Sequence, residues 1–396
     1  MLQPYGSRAA VRQLLLWEDD DLRLAEGLAR AMRMLDSYLA AVPKDGGCDE
    51  GTAYWNMAGG ALLDCLELLY GATGGRVSFY HEPLIRRIGE FPLKAHMDGP
   101  YYWNFADADA CPVLDGERLA RYGERIENPA LAALGARILS ENPDVFPRDT
   151  PEMSRVLDRL FHPVSPSKTP FAPEADVALP FLGVFAKRRG RLYLAIKGGH
   201  NGESHNHNDV GSFLLYVDGK PAVIDLGNMV YTAKTFGPER YTLPNTRSAN
   251  HNVPLVGGVE QAPGTPYRAR DVSWDTDCVR MDIGGAYPPR TGVLSLLREA
   301  RLTEDALALS DEVRLLTPQP VTWVFMLRQR PQITPGLAEC ENVSLRFDAD
   351  LSPALEEWPV ADARMARNFP GSVFRLALTA PAAVLHARRF LLSPGL

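Results

Sequence analysis

The apolar spacing of this chain changes once, at a proline-rich break, and that change constrains the fold more than any other feature. Up to about residue 160 the spacing is helical. Leu24, Leu28, Met32, Leu35 and Leu39 mark one face, and Tyr54, Ala58, Leu62, Cys65, Leu66 and Leu69 mark another; Leu131 to Leu139 and Met153 to Phe161 repeat the pattern. From His162 to Pro180 the chain carries five prolines and no sustained period, which reads as a linker. Beyond it lie short runs rich in β-branched and aliphatic residues: Arg191 to Ile196, Ser212 to Val217, Ala222 to Leu226, Val279 to Ile283, Val293 to Leu297, Ala306 to Leu309, Val321 to Leu327, Val343 to Phe347 and Val373 to Leu378. Asp218-Gly219 between two of these runs predicts a tight hairpin whose central residues both need positive φ. The expected organisation is a helical domain over 1–161, a linker over 162–180 and an antiparallel β domain over 181–396, with no repeat at a fixed period.

Composition removes several functional classes. With 396 residues, 45% hydrophobic and 23% charged, the chain is long and apolar enough for two or three folded domains, so disorder is excluded as its main character. The longest apolar runs, such as Leu14-Leu15-Leu16-Trp17, are far short of a membrane helix. A net charge of −7 gives no bulk attraction to nucleic acid or to an anionic membrane, so neither is an expected partner. The five cysteines are odd in number and lack a CxxC pair, which argues against both a disulfide framework and a cysteine zinc site. Met1 to Arg8 lacks the apolar core and cleavage site of a secretory signal, and the expectation is a reducing, cytoplasmic setting.

Chemistry concentrates in one stretch. Four of the eight histidines, His200, His205, His207 and His251, fall within 52 residues that also hold Asp209 and Asp225. In GGHNGESHNHNDVGSF, His205, His207 and Asp209 stand at i, i+2 and i+4, so an extended backbone would turn all three to one face. The hairpin at Asp218-Gly219 then returns Asp225 to about the level of Ser212. Asp225 sits in the apolar run Ala222-Val223-Ile224-Asp225-Leu226, where a carboxylate is costly unless paired or ligated. His251, in RSANHNVPLVGG, is placed to complete such a site. Two imidazoles and a carboxylate make a normal zinc set, but a hydrogen-bonded polar cluster fits the same spacing. Other HxH folds fit less well: a metallo-β-lactamase-type site needs a His where Val210 stands, and a cupin needs a Glu where Gly211 stands.

A second stretch, DGGCDEGTAYWNMAGG over 45–60, opens what the spacing predicts to be a helix. Tyr54 and Trp55 can serve as core aromatics, with Asp49 or Glu50 favouring the helix N-terminus, or Tyr54 can present its phenol to a cleft as a proton donor.

Together, DGGCDEGTAYW and the downstream GGHNGESHNHNDVGSFLLYVDGKPAVIDLG and RSANHNVPLVGG resemble the heparinase II/III family of polysaccharide lyases. The resemblance spans nearly the whole chain. It implies an incomplete (α/α) toroid followed by an antiparallel β-sandwich. It also implies a zinc ion on His207, Asp225 and His251, with His205 and Tyr54 as catalytic residues. Tyr241, in RYTLPNTRSANHN, resembles a further site tyrosine, and Tyr231 competes for that position. Glu50, Arg240 and Arg247 become candidate substrate-contacting residues, the arginines for a uronate carboxylate or sulfate. The family places an Asn on a helix upstream of the EGxxYW element, whereas Met1 to Trp17 contains none, so a member shortened at its N-terminus is expected.

The implied activity is β-elimination on a uronic-acid-containing poly- or oligosaccharide. Two competing functions share the same residues: a metal-dependent hydrolase using water on the histidines, and a glycan-binding remnant without turnover. Amphipathic faces that the toroid would normally cover also make a homo-oligomer an expected state.

Overall fold

The computed structural model describes residues 3–142, 153–165, 170–171 and 173–395. Its chain divides into two compact units. One comprises Met1–Cys48, Thr52–His96 and Pro112–Pro173; the other gathers Asp49–Gly51, Met97–Cys111 and Glu174–Leu396. Two short pieces of the N-terminal half thus belong to the second unit.

The first unit is helical: α1 (Gln3–Trp17), α2 (Asp21–Ala41), α3 (Gly59–Ala72), α4 (Pro83–Ala95), α5 (Gly116–Arg125), α6 (Pro129–Glu141) and α7 (Met153–Phe161). Side-chain oxygens of Asp20, Asp115 and Asn128 cap α2, α5 and α6 by accepting from backbone N–H groups of the first turn. The helices also share a buried ionic centre. Asp64 on α3 receives Arg8 at 3.0 Å, Arg118 at 3.1 Å and Arg155 at 2.9 Å, so residues far apart in sequence are held at one carboxylate. Tyr54 is not on the helix expected there. It lies in a 3-10 turn, Thr52–Asn56, and α3 begins only at Gly59. Trp55 anchors that turn: its indole N–H donates to the Ile88 carbonyl at 2.8 Å, and its Nε1 lies 2.4 Å from where a Cβ at Gly59 would fall.

The second unit is an antiparallel β structure. Its principal strands are β1 (Asp176–Leu179), β2 (Val184–Arg189), β3 (Leu192–Lys197), β4 (Phe213–Val217), β5 (Lys220–Val223), β6 (Pro254–Val256), β7 (Arg270–Trp274), β8 (Cys278–Asp282), β9 (Val293–Leu302), β10 (Leu307–Leu327), β11 (Val343–Arg346), β12 (Ser352–Pro359) and β13 (Ser372–Pro394). They pair in the order β1-β2-β3-β4-β5-β10-β13-β11, and β10 also carries β6 and the β9-β8-β7 run. β1 takes in the last residues of the proline-rich stretch, because Val177 and Leu179 alternate into the core. β4 and β5 form the expected hairpin with Asp218 at φ 49° and Gly219 at φ 72°. β10 and β13 are much longer than the runs expected for them. The prolines Pro318, Pro320 and Pro381 that interrupt the sequence pattern fall at or beside register shifts between these two strands, where lost ladder donors are tolerated. Leu194, Leu215, Leu309, Phe325, Leu376 and Phe390 belong to the continuous apolar core between these strands. Among the described residues no helix is long and apolar enough to cross a membrane, and none of the five cysteines is in a disulfide.

One ion pair crosses this core. Arg298 on β9 binds Asp311 on β10 in a fork, Nε to Oδ1 at 2.8 Å and Nη2 to Oδ2 at 2.6 Å, while Trp323 donates to the same carboxylate at 2.9 Å. The remaining guanidinium nitrogen, Nη1, donates to the carbonyls of Gly211 and Asn252, both at 2.7 Å. Both partners are almost fully buried. Arg298→Met strands Asp311 and frees both carbonyls, so denaturant unfolding is expected to show a loss of about 3–5 kcal/mol. The double variant with Asp311→Leu should recover part of that loss; equal instability of single and double variants would contradict the pairing.

Candidate metal and catalytic site

All the contacts described here lie within the second unit. β3 ends at Lys197, and the following loop re-enters the sheet at β4. The loop is turned rather than extended, with His205 in the left-handed region at φ 54°, a conformation that is uncommon outside glycine. The expected common face of His205, His207 and Asp209 therefore does not form. Asp209, fully buried, turns to Lys197, whose Nζ lies 2.7 Å from Oδ1 and 3.1 Å from Glu203. The lysine satisfies a carboxylate that burial would otherwise penalise, and its own pKa is raised: burial works to lower it, but Asp209 and Glu203 prevail.

His207, Asp225 and His251 do come together. Each offers a ligand atom, all within 4.8 Å of one another, and all three side chains are buried. Asp225 lies just past β5, where the hairpin ladder opens. Asn252 wedges it there by donating to the carbonyls of Phe213 at 2.7 Å and Ile224 at 2.9 Å, while its own carbonyl accepts from the Met326 amide. His251 is the residue before this wedge, so the same anchor places it. Its Nδ1 is 2.8 Å from Asp225 Oδ2, and its Nε2 is 2.9 Å from the Asn245 carbonyl. Asp225 Oδ1 accepts from the Gly227 amide at 2.8 Å. His207 Nδ1 is buried and has no hydrogen-bond partner among the described residues.

Electrostatics follow these contacts. Burial lowers the pKa of His207, which favours its neutral form. For His251 burial acts in the same direction, but the adjacent Asp225 outweighs it and raises the value. Burial works against the Asp225 charge, yet His251, His207 and the Gly227 amide hold its pKa below the ordinary range. An orphaned imidazole nitrogen beside a carboxylate and a second imidazole is the donor chemistry of a divalent transition metal, and the residues fit such an ion.

Asp107, which no spacing argument identified, joins this cluster to His205. It is 1% exposed. Its Oδ2 accepts from His205 Nδ1 at 2.9 Å and from Arg240 Nη2 at 2.9 Å, and its Oδ1 lies 3.2 Å from His207 Nε2. Burial opposes ionisation of Asp107, but the two histidines and Arg240 prevail and hold its pKa far below the usual carboxylate range. His205 is partly exposed. Its Nε2 lies 3.5 Å from Glu50 Oε1, and burial pushes the Glu50 carboxyl up. Aromatic rings flank the imidazole, with Phe236 edge-on at 5.6 Å, Tyr231 at 6.3 Å, and Tyr231 and Phe236 themselves 5.1 Å apart between centroids. Phe236 is 68% exposed.

The other candidates are placed as follows. Tyr241 donates its hydroxyl to Asn206 at 2.8 Å. Arg240 commits Nε and Nη2 to the Asn206 carbonyl, Nη1 to Thr235 and Nη2 also to Asp107. Arg247, nearly half exposed, pairs with Glu260 through Nε at 3.0 Å. Tyr54 belongs to the helical unit, half-buried in its 3-10 turn. Sequence reasoning missed Asp107, and also Asn104, which donates to the Asp225 carbonyl at 2.8 Å, and Asn245. In NFADADAC the alternating aspartates of a short stretch without periodicity were the available signal.

Residues 172–367 match the family model described as heparinase II/III-like, C-terminal, so the chain carries a domain of that family. Among solved structures, a heparinase III superposes over 99% of this chain and 58% of its own with a TM-score of 0.72 at 14% identity. The heparan sulfate lyase HepC from Pedobacter heparinus aligns over 99% of this chain and 59% of its own, with a TM-score of 0.62 at 13% identity. A chondroitin AC lyase from Streptomyces coelicolor A3, solved in complex with chondroitin sulphate, covers 98% and 59% with a TM-score of 0.51 at 11% identity. This chain therefore shares their fold and spans about three fifths of their length. No curated protein sequence matches it.

Protein purified without chelator should carry a divalent transition metal at close to one equivalent by elemental analysis, and His207→Ala and Asp225→Ala should each lose it. Less than about a tenth of an equivalent in the wild type would rule out a tight site of this kind.

Proposed function

We propose that the chain is a polysaccharide lyase acting on uronic-acid-containing glycans by β-elimination. The observation that carries this reading is a partly exposed His205, held by a buried carboxylate and flanked by aromatic rings, beside a His207, Asp225 and His251 cluster in a heparinase II/III-like domain. The names of the heparan sulfate and chondroitin lyases that share the fold support a glycosaminoglycan-like substrate. On this reading the helical unit corresponds to part of an incomplete (α/α) toroid and the β unit to the family's sandwich.

Eliminating a 4-linked uronide requires a base for the C5 proton and an acid for the departing O4. We assign His205 as the base and Tyr54 as the acid, with Tyr54 serving both steps for the other C5 epimer. The C5 proton becomes acidic once the neighbouring carboxylate is neutralised. Arg247, exposed and free to swing from Glu260, is our choice to meet that carboxylate or a sulfate. The near-complete commitment of Arg240 to Asp107, Asn206 and Thr235 suits it to holding the loop. Tyr241 likewise fixes Asn206, next to His207, whereas Glu50 faces His205 at the substrate side. Zinc is the ion we assign to the cluster, where it would supply a fixed positive charge and stiffen the loop that carries His205. The flat, exposed ring of Phe236 suits the apolar face of a pyranose.

Uronate oligosaccharides should yield an unsaturated product absorbing in the near ultraviolet, and both Tyr54→Phe and His205→Ala should slow it by about 10² to 10⁴-fold. Tyr54→Phe keeps the ring, so lost packing would not explain the effect. Full activity in Tyr54→Phe would refute that assignment, and glycan binding without any absorbance gain would leave a binding module in place of an enzyme. Phe236→Ala should raise KM with kcat little changed; the opposite pattern would remove the ring from the sugar subsite.

A further inference from the structure

Two histidines two residues apart meet the same carboxylate through different ring nitrogens. His207 turns Nε2 to Asp107 Oδ1 at 3.2 Å, nearer than the Asn245 amide nitrogen at 3.5 Å, and His205 turns Nδ1 to Asp107 Oδ2. A carboxylate only accepts hydrogen bonds, so each nitrogen facing it carries a proton. In a neutral imidazole that choice leaves the lone pair on the other nitrogen. For His207 the lone pair is then on Nδ1, which is buried and has no hydrogen-bond partner among the described residues, in a side chain grouped with Asp225 and His251. For His205 it is on Nε2, whose 3.5 Å separation from Glu50 Oε1 is longer than the 2.9 Å hydrogen bond of Nδ1 to Asp107.

We propose that Asp107 is a positioning residue that sets opposite tautomers in His205 and His207, giving one the lone pair a metal needs and the other the lone pair a proton-abstracting base needs. The assignment of His205 as a base rests on the lyase reading; the tautomers do not. Arg240 makes the arrangement directional. A guanidinium can only donate, and it shares Oδ2 with His205, so that corner of residue 107 must remain an acceptor. An amide at 107 would keep its oxygen there and turn its NH₂ toward His207. Nε2 of His207 would then have to accept, the proton would move to Nδ1, and the nitrogen left open for a metal would lose its lone pair.

Imidazole ¹⁵N shifts of metal-free protein labelled at histidine, assigned with His205→Gln and His207→Gln, read this directly. Wild type should show protonated Nε2 in His207 and protonated Nδ1 in His205. In Asp107→Asn, His207 should switch to protonated Nδ1 while His205 is unchanged, and competitive titration with Zn²⁺ should show about a 10- to 100-fold weaker site. Wild-type shifts with His207 protonated at Nδ1 would overturn the proposal without any variant. An Asp107→Asn protein that keeps both wild-type tautomers and wild-type zinc affinity would overturn it as well. Correct tautomers in a protein that never produces unsaturated sugar would sink the lyase reading alone.

Discussion

A guanidinium inside a β core is the constraint on which the site depends. Arg298 is neutralised by Asp311, and its remaining nitrogen ties together the carbonyls of Gly211 and Asn252. Gly211 closes the loop that carries His205 and His207, and Asn252 follows His251, so two loops from different parts of the chain are fastened to one point of the sheet. Arginine suits this task because its planar fork serves a carboxylate and further acceptors at once, and lysine has no equivalent geometry. Asn252 extends the fastening by bridging the carbonyls of Phe213 and Ile224, which fixes where Asp225 leaves the hairpin. The three residues of the cluster are thus set by the sheet rather than by their own loops.

The second layer of control is the hydrogen-bonding of polar groups that have been removed from water. Asp209 takes Lys197, Asp225 takes His251 and the Gly227 amide, and Asp107 takes two histidines and an arginine. Each buried carboxylate has its own donors, so the histidines are not interchangeable among them. His207 departs from this scheme at one nitrogen, which, like Asp209 Oδ2 and Asn245 Oδ1, has no hydrogen-bond partner among the described residues. The strained backbone at His205 fits the same picture: the loop holds an unfavourable φ because Asp107 and the aromatic rings around the imidazole define its place.

Much of this was legible in the sequence, and the rest was hidden for identifiable reasons. The change of hydrophobic period divided helices from strands, and Asp218-Gly219 marked a hairpin that the structure contains. His207, Asp225 and His251 were singled out by the resemblance of their motifs, since spacing alone set His205 and Asp209 beside them as well, and the structure brings the three together. Asp209 misled the reading, since spacing at i, i+2 and i+4 puts side chains together only on an extended backbone and this loop turns. Tyr54 was read onto a helix because its spacing matches α3, but the chain makes a 3-10 turn over Thr52–Asn56 and the helix starts at Gly59. The long strands β10 and β13 appeared as fragments because prolines mark their register shifts. Asp107 lies about a hundred residues before the histidines it joins, and no local pattern encodes a contact of that range.

The central claim is that these two fastened loops form the site of an eliminase. Mass spectrometry of the fragments released from a defined uronic-acid oligosaccharide tests it most directly. Elimination breaks the C4–O4 bond without adding water, so the masses of the two products should sum to that of the substrate. A sum that exceeds the substrate by one water would show hydrolysis at the same residues and contradict the account.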